Sequence, residues 1–99
     1  MAKIILRQEA IDDLNAIWFY TYEKGSERQA DYNYAALEFA CKQIGNNPEP
    51  GKEYEEINSN LRGLRTGKHI IFYQVIANDE IEIVRTLHEQ MNLKGRLNK

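Results

Sequence analysis

The chain has 99 residues, of which 42% are hydrophobic and 28% charged, a composition typical of one globular domain rather than a disordered or fibrous protein. No apolar stretch approaches the ~20 residues of a membrane-spanning helix, and the N-terminal segment turns acidic too soon for a secretory signal peptide. We therefore expect residues 1–99 to form a single domain in the cytoplasm, without membrane contact.

Charge and metal-ligating residues restrict the chemistry further. Residues 1–60 hold 6 Lys and Arg against 11 Asp and Glu, whereas residues 61–99 hold 7 against 4. The net charge of −2 argues against non-specific nucleic-acid binding, which depends on many cations. One cysteine, Cys41, and two histidines, His69 and His88, can form neither an internal disulfide nor a closed structural zinc site. The sequence therefore predicts no cofactor, no metal ion and no sequence-specific contact with nucleic acid.

The N-terminal half predicts a strand followed by a helix. Residues 3–6 form a short apolar run bounded by charged residues, as is typical of a strand. Across residues 10–22, apolar residues recur at spacings of three, four and seven, the pattern of one helical face. Asp12 and Asp13 are predicted to point away from that face, and Gly25 is predicted to end the helix.

A second helix is predicted to begin after Ser26, which forms an S-x-x-Q capping box with Gln29. Apolar residues follow at spacings of four and three over residues 30–44, and the glycine, asparagines and proline of residues 45–48 end the helix. Because the link between the helices is short, we expect an antiparallel hairpin.

Helical spacing also predicts where the large side chains of these helices go. Cys41 lies on the apolar face and is predicted to be a small buried residue without chemistry. The aromatic residues are predicted to pack in the core or within the hairpin. They are Trp18, Phe19, Tyr20, Tyr22, Tyr32 and Tyr34.

The C-terminal half predicts a sheet. Residues 49–60 lack a sustained period and are predicted to be an exposed loop. Three segments rich in β-branched and aromatic residues follow, at 61–66, 69–76 and 80–87, separated by short turns. The expected fold is α+β: an N-terminal strand, an antiparallel helix hairpin and a three-stranded antiparallel meander in two layers.

Alternation along the predicted strands assigns their faces. In the last strand, Ile81, Ile83, Arg85 and Leu87 fall on one face, opposite Glu82, Val84, Thr86 and His88. A guanidinium among apolar residues must either reach a carboxylate or lie at an open surface. We expect the carboxylate to come from Glu53, Glu55 or Glu56. Two layers also leave one sheet face uncovered, and Ile71 and Val75 are predicted to form an exposed apolar patch there.

Five short motifs in sequence resemble the ParE branch of the RelE/ParE toxin superfamily and span about residues 4–93. They are A-x-x-D-L-x-x-I-W-x-Y at 10–20, N-P-x-x-G at 47–51, G-L-R at 63–65, H-x-I-F-Y at 69–73 and R-x-L-H-x-x-M at 85–91. The resemblance implies the two-layer RelE/ParE fold and the toxin of a bacterial type II toxin–antitoxin pair, neutralised by a ParD-like antitoxin. It also implies inhibition of DNA gyrase by protein–protein contact rather than catalysis.

The RelE branch supplies an alternative, ribosome-dependent cleavage of mRNA, for which Arg65, His69 and His88 are the candidate catalytic residues. That branch uses a C-terminal Tyr or His, and residues 89–99 contain neither. The gyrase interpretation is therefore preferred. A toxin relic that binds its antitoxin without activity is a third hypothesis, because the residues after Met91 depart from the ParE pattern.

The resemblance and the exposed sheet face together predict the residues that bind the antitoxin or the target. They are Arg65, His69, Ile71, Tyr73, Arg85, His88 and Met91. For His69 and His88, which close the ends of predicted strands, a purely structural role is an equal alternative.

Overall fold

The computed structural model describes residues 2–48, 51–55, 57, 60–77 and 79–88. Over these ranges two helices pack against a five-stranded sheet. The elements are β1 (Lys3–Leu6), α1 (Gln8–Lys24), α2 (Glu27–Asn46), β2 (Lys52–Glu53), β3 (Arg62–Thr66), β4 (His69–Ala77) and β5 (Glu80–His88). The predicted α+β class, helix hairpin and antiparallel meander are confirmed. Neither helix combines the length and apolarity needed to cross a bilayer.

The strands lie in the order β1-β5-β4-β3-β2. β1 pairs with β5 in parallel, and the other neighbours are antiparallel. β2 falls in the segment predicted to be an exposed loop, and the same segment places Tyr54 and Ile57 against the sheet. The loop prediction was therefore wrong for these residues.

The ends of the helices follow the sequence signals closely. The Ser26 hydroxyl accepts a hydrogen bond from the Gln29 backbone N–H at 3.1 Å, as the capping box predicts. The side chain of Gln29 donates to Asn33 instead of closing the box. α1 ends at Gly25, whose N–H donates to the Thr21 carbonyl at 2.8 Å.

Two buried clusters lie on opposite faces of the sheet. The cluster under the helices contains Ala10, Leu14, Leu37, Ala40, Cys41, Ile44, Ile71, Tyr73, Ile81 and Ile83. The cluster on the other face contains Leu61, Ile70, Phe72, Val84 and Leu87, with Tyr54 and Ile57 packed against it. The predicted bare sheet face is therefore wrong, because the segment preceding β3 contributes apolar side chains to it. Of the two residues predicted to form an exposed patch there, Ile71 is 0% exposed, under the helices, whereas Val75 is 46% exposed, as predicted.

A β-bulge in β5 changes which side chains share a face. Register passes from Phe72 opposite Arg85 to Tyr73 opposite Ile83, so Val84 is the extra residue. Simple alternation predicted Leu87 on the same face as Ile83. Because the bulge interrupts the alternation, Leu87 packs with Val84 in the other cluster.

Candidate functional site

The predicted site residues separate into groups with different surroundings. His69 opens β4 and His88 closes β5, and the two residues are directly paired across the strands. Their ring centroids are 5.5 Å apart at an interplanar angle of 85°. Both side chains are partly exposed at the end of the sheet. The structure therefore brings these two predicted residues together.

Arg65 lies on the opposite face from the histidine pair. It is paired with Ile70, which belongs to the cluster away from the helices, whereas His69 is paired with Thr66. Since paired residues in an antiparallel sheet share a face, the exposed Arg65 side chain leaves the sheet on the other side from His69 and His88. The three residues of the alternative catalytic set do not converge on one face.

Two other predicted binding residues are buried. Ile71 and Tyr73 are 0% and 1% exposed, and both belong to the cluster beneath the helices. The Tyr73 hydroxyl donates a hydrogen bond to the Pro48 carbonyl at 2.5 Å, and Gly51 packs so closely against the Tyr73 ring that a Cβ there would overlap it. Neither side chain presents surface to a partner. Met91, the last predicted residue, lies outside the described residues.

Arg85 has an internal partner, but not one of the predicted ones. Its Nε and Nη2 donate to the two carboxylate oxygens of Asp13 at 2.7 and 2.9 Å. The Thr86 backbone N–H donates to the same carboxylate at 2.9 Å. The hydrogen bonds to Asp13 raise the pKa of Arg85, outweighing the opposing effect of burial. Asp13, predicted to point away from the apolar face of α1, therefore bonds the edge of the sheet instead.

Glu53 and Glu55, two of the carboxylates proposed for Arg85, lie elsewhere. Glu53 is bonded to Arg62 at 3.3 Å, Glu55 is exposed, and Glu56 is outside the described residues. The Asp13 contact lies where β1 ends. β1 stops at Leu6, which pairs with Ile83, and the N–H of the next residue, Arg7, bonds to the Ile83 carbonyl. The Asp13 side chain from the first half of α1 bonds that edge instead.

The outer surface of the helices carries large aromatic side chains that sequence reasoning assigned to the core. Tyr20 and Tyr32 are 65% and 71% exposed. Phe39, which was not singled out from the sequence, is 62% exposed. We define the exposed aromatic residues as Phe19, Tyr20, Tyr22, Tyr32 and Phe39.

Part of the aromatic prediction is confirmed. Tyr34 packs against the core cluster, and Trp18 is half-buried with its Nε1 donating to Asp31 of α2 at 2.9 Å. Tyr22 stacks on Trp18 with centroids 5.3 Å apart and an interplanar angle of 8°. The hairpin is thus held by Trp18, while Tyr22 extends the ring stack into solvent.

An acidic groove runs beside these aromatic residues. A cavity of about 360 Å³ between the helices is lined by Asn15, Trp18, Asp31, Tyr34, Ala35 and Glu38. Residues 8–46, which contain both helices, hold seven Asp and Glu against three Lys and Arg. Basic residues are concentrated elsewhere, with Arg62, Arg65 and Lys68 in and next to β3.

Cys41 is buried, as predicted, in the core of α2. Burial raises the pKa of its thiol to about 11, and the nearby charge of Glu38 acts in the same direction. A thiol in this state is not a nucleophile at neutral pH. A group of three or more metal-ligating side chains is likewise absent from the described part of the chain.

Residues 4–93 match the family model described as the ParE toxin of the type II toxin–antitoxin system parDE. The chain belongs to the ParE toxin family. It is 31% identical to Toxin ParE1 of Mycobacterium tuberculosis strain H37Rv over 97% of this chain and 98% of that protein. It is 33% identical to Toxin ParE1 of Caulobacter vibrioides over 93% and 94% of the two chains.

A solved structure shares the fold of this ParE-family chain. A chain of the chromosomal ParDE toxin–antitoxin system from P. aeruginosa superposes with a TM-score of 0.77, covering 89% of this chain and 96% of that chain. The two are 18% identical in sequence. The family and the two-layer architecture expected from the five motifs are therefore confirmed.

The motifs that carry the ParE resemblance contact one another in the structure. Asp13 of the first motif bonds Arg85 of the last. Tyr73 of the fourth motif bonds Pro48 of the second. His88 of the last motif pairs with the histidine that opens the fourth. In this ParE-family chain, these motif residues hold the fold together, and the exposed aromatic residues of the helices lie mostly outside them.

Proposed function

We propose that this ParE-family toxin inhibits DNA gyrase by protein–protein contact and is neutralised by a ParD-like antitoxin. The observation that carries the proposal is the exposure of large aromatic side chains on the helices. Aromatic residues are enriched at protein interfaces, where their large area and few rotatable bonds favour binding. In a chain of 99 residues, five such side chains on two helices indicate a surface for proteins rather than for a small substrate.

The chemistry of the helix layer defines the antitoxin segment that would fit it. The groove between the helices has two carboxylates, Asp31 and Glu38, beside the Trp18 and Tyr34 rings. A matching segment would carry apolar side chains for the aromatic residues and Lys or Arg for the carboxylates. The solved structure titled as a ParDE system and the parDE family description support an antitoxin of the ParD type.

The proposal also states that the toxin acts without catalysis. RNA cleavage through the 2′-hydroxyl needs a base, an acid and cations around the same reacting phosphate. Arg65 is on the other sheet face from His69 and His88, and Arg85 is engaged by Asp13. This arrangement favours gyrase over mRNA as the target.

The endoribonuclease alternative is retained because one observation supports it. His69 and His88 lie side by side at an accessible end of the sheet, with ring centroids 5.5 Å apart. Two imidazoles at that separation are able to act as an acid–base pair on one substrate. The two functions therefore differ in which residues they require.

The deciding experiment runs two assays on the same purified chain. One measures supercoiling and DNA cleavage by gyrase, and the other measures cleavage of mRNA during translation in vitro. We expect the chain to block supercoiling and to cause cleaved DNA to accumulate, and the His88→Ala variant to retain this activity. The variant Phe39→Ser tests whether the outer surface of the helices takes part in the inhibition of gyrase.

Two outcomes would contradict the proposal. Cleavage of mRNA that is lost in His88→Ala would establish the endoribonuclease instead. Absence of both activities, together with normal growth of cells that overproduce the chain, would identify a toxin relic.

A further inference from the structure

The groove between α1 and α2 contains two carboxylates that are engaged in different ways. Asp31 accepts a hydrogen bond from the Trp18 Nε1 at 2.9 Å, and Tyr22 stacks on the same indole ring. Glu38 lies seven residues later on the same face of α2, about 10 Å further along the helix axis. Asp31 therefore links the two helices at one end of the groove, and Glu38 lines the other end.

Glu38 is an exposed carboxylate on the wall of this groove. Lys42 follows one turn later on α2, yet the ion pairs formed among the described residues all use other carboxylates. Water hydrates a carboxylate of this kind while the groove is open, and that hydration is lost when a partner fills the groove. A protein that covers this surface must therefore supply a donor to Glu38.

Between the two carboxylates the groove has room for a long side chain. Ala35 lies four residues after Asp31 and three before Glu38, so its exposed methyl group faces the same cavity of about 360 Å³. The Trp18 and Tyr34 rings line the cavity beside it. A side chain with several methylene groups can lie over the Ala35 methyl group and carry a polar head to Glu38, and Arg and Lys have this form.

The charge of the helix layer favours a basic occupant over a second copy of this chain. Residues 8–46 hold seven Asp and Glu against three Lys and Arg. Two copies that met through this surface would bring carboxylates together, which opposes association. A basic side chain compensates the charge of Glu38, and a guanidinium also binds well over an aromatic ring such as that of Tyr34.

We propose that an Arg or Lys side chain of the ParD-like antitoxin lies over Ala35 and forms an ion pair with Glu38. The antitoxin is taken as the partner because of the proposed function, and Glu38 is the toxin carboxylate that it must reach. Asp31 is the secondary contact, since one of its oxygens already accepts the Trp18 hydrogen bond. An ion pair covered by the partner strengthens the complex and makes its affinity depend on salt.

The test is a calorimetric titration of the full chain with the purified antitoxin, in about 50 mM and about 500 mM NaCl. We expect Glu38→Gln to weaken binding by at least about 10-fold at the lower salt concentration and by less at the higher one. Ala35→Leu, which fills the groove, should also weaken binding by at least about 10-fold. Glu55→Gln removes the same charge from an exposed position outside the helices and should bind as the wild type does. All three variants should unfold at the urea concentration of the wild type, because all three positions are exposed.

A charge exchange identifies the antitoxin residue. Glu38→Lys should weaken binding more than Glu38→Gln does, because like charges then meet. In a set of antitoxin variants that each replace one Lys or Arg by Glu, one variant should bind Glu38→Lys at least about 10-fold more tightly than the unchanged antitoxin does.

Each contrary result has a separate meaning. Unchanged antitoxin affinity in Glu38→Gln and Ala35→Leu, or a set of antitoxin variants in which none restores binding to Glu38→Lys, would overturn the ion pair and leave the proposed function standing. Absence of antitoxin binding by the wild-type chain would overturn both. Loss of gyrase inhibition in Glu38→Gln with unchanged antitoxin affinity would assign the groove to the target instead.

Discussion

The contact between α1 and β5 and the outer surface of the two helices use residues in opposite ways. At the contact, the charged pair Asp13–Arg85 is mostly buried and all its strong hydrogen bonds are made within the chain. On the outer surface, Tyr32 and Phe39 are apolar or amphipathic and are more than 60% exposed. Residue type alone suggests a binding role for the arginine and a core role for the aromatics. The structure reverses both, because position relative to the sheet decides which groups meet solvent.

The largest expected effect comes from breaking the charged contact. Asp13 and Arg85 side chains are 13% and 20% exposed, so removing either leaves its partner largely desolvated and unpaired. We expect Asp13→Ala or Arg85→Ala to lower the free energy of unfolding by about 3 kcal/mol, measured by urea denaturation. The double variant should lose less than the sum of the single losses, because both changes remove the same interaction.

An exposed ion pair supplies the control for this measurement. Glu53, which bonds Arg62, is 60% exposed, and Glu53→Ala should cost less than about 1 kcal/mol. Equal losses in Arg85→Ala and Glu53→Ala would mean that the Asp13 contact is no more than a surface ion pair. The distinction between the two regions would then fail.

The second prediction concerns the outer helix surface, where stability and binding should separate. We expect Tyr32→Ser and Phe39→Ser to change the free energy of unfolding by no more than about 0.5 kcal/mol. The same variants should weaken binding of the ParD-like antitoxin by at least about 10-fold, as loss of interface aromatic anchors does. Titration calorimetry with the purified antitoxin measures the affinity.

A buried residue of the same helix, α2, supplies a control that should lose stability. Leu37 is 2% exposed, and Leu37→Ala should cost about 2–5 kcal/mol of stability. Exposed Lys42→Ala should leave both stability and antitoxin affinity unchanged. The aromatic residues are not an interaction surface if Phe39→Ser loses as much stability as Leu37→Ala. The same conclusion follows if Phe39→Ser binds the antitoxin with the affinity of the wild type.

Much of the fold was predictable because each element carries a strong local signal. Helical spacing of apolar residues, the Ser26 cap and the glycine at position 25 defined the hairpin to within a residue or two. The face assignment within β5 was not predictable, since Val84 and Leu87 are both apolar and either face accepts them. Only pairing with β4 shows that Val84 is an extra residue. The cover over the second face came from Tyr54 and Ile57, in a segment without periodicity.

The candidate site was predictable only in part, for a related reason. Alternation placed His69 and His88 at the ends of neighbouring strands, which the structure confirms. The partner of Arg85 depends on how α1 crosses the end of β1, a tertiary feature with no local signal. Tyr32 and Phe39 are seven residues apart and therefore share one helical face. Whether that face is exposed depends on which side of α2 meets the sheet.

The smallest expected effect concerns a polar contact at the parallel edge of the sheet, where Glu82 accepts hydrogen bonds from Arg7 and Gln74, both at 3.0 Å. The Arg7 hydrogen bond, followed by that from Gln74, lowers the pKa of Glu82 below its ordinary value of 4.5. Folding therefore favours the charged carboxylate. Its contribution is present above the pKa of the unfolded chain and is lost as the pH falls through the lower pKa of the folded chain.

Glu82→Gln tests this sign. The Arg7 side chain is 42% exposed, so the stability difference between wild type and variant at about pH 7 should stay below about 1 kcal/mol. It should be smaller at about pH 3 in urea denaturation, because protonation of the carboxyl removes the charge that the contact favours. Gln74→Ala should reduce the pH dependence without removing it, because Arg7 still holds the carboxylate. A difference that is the same at both pH values would mean that this edge contact stabilises the fold through its shape rather than its charge.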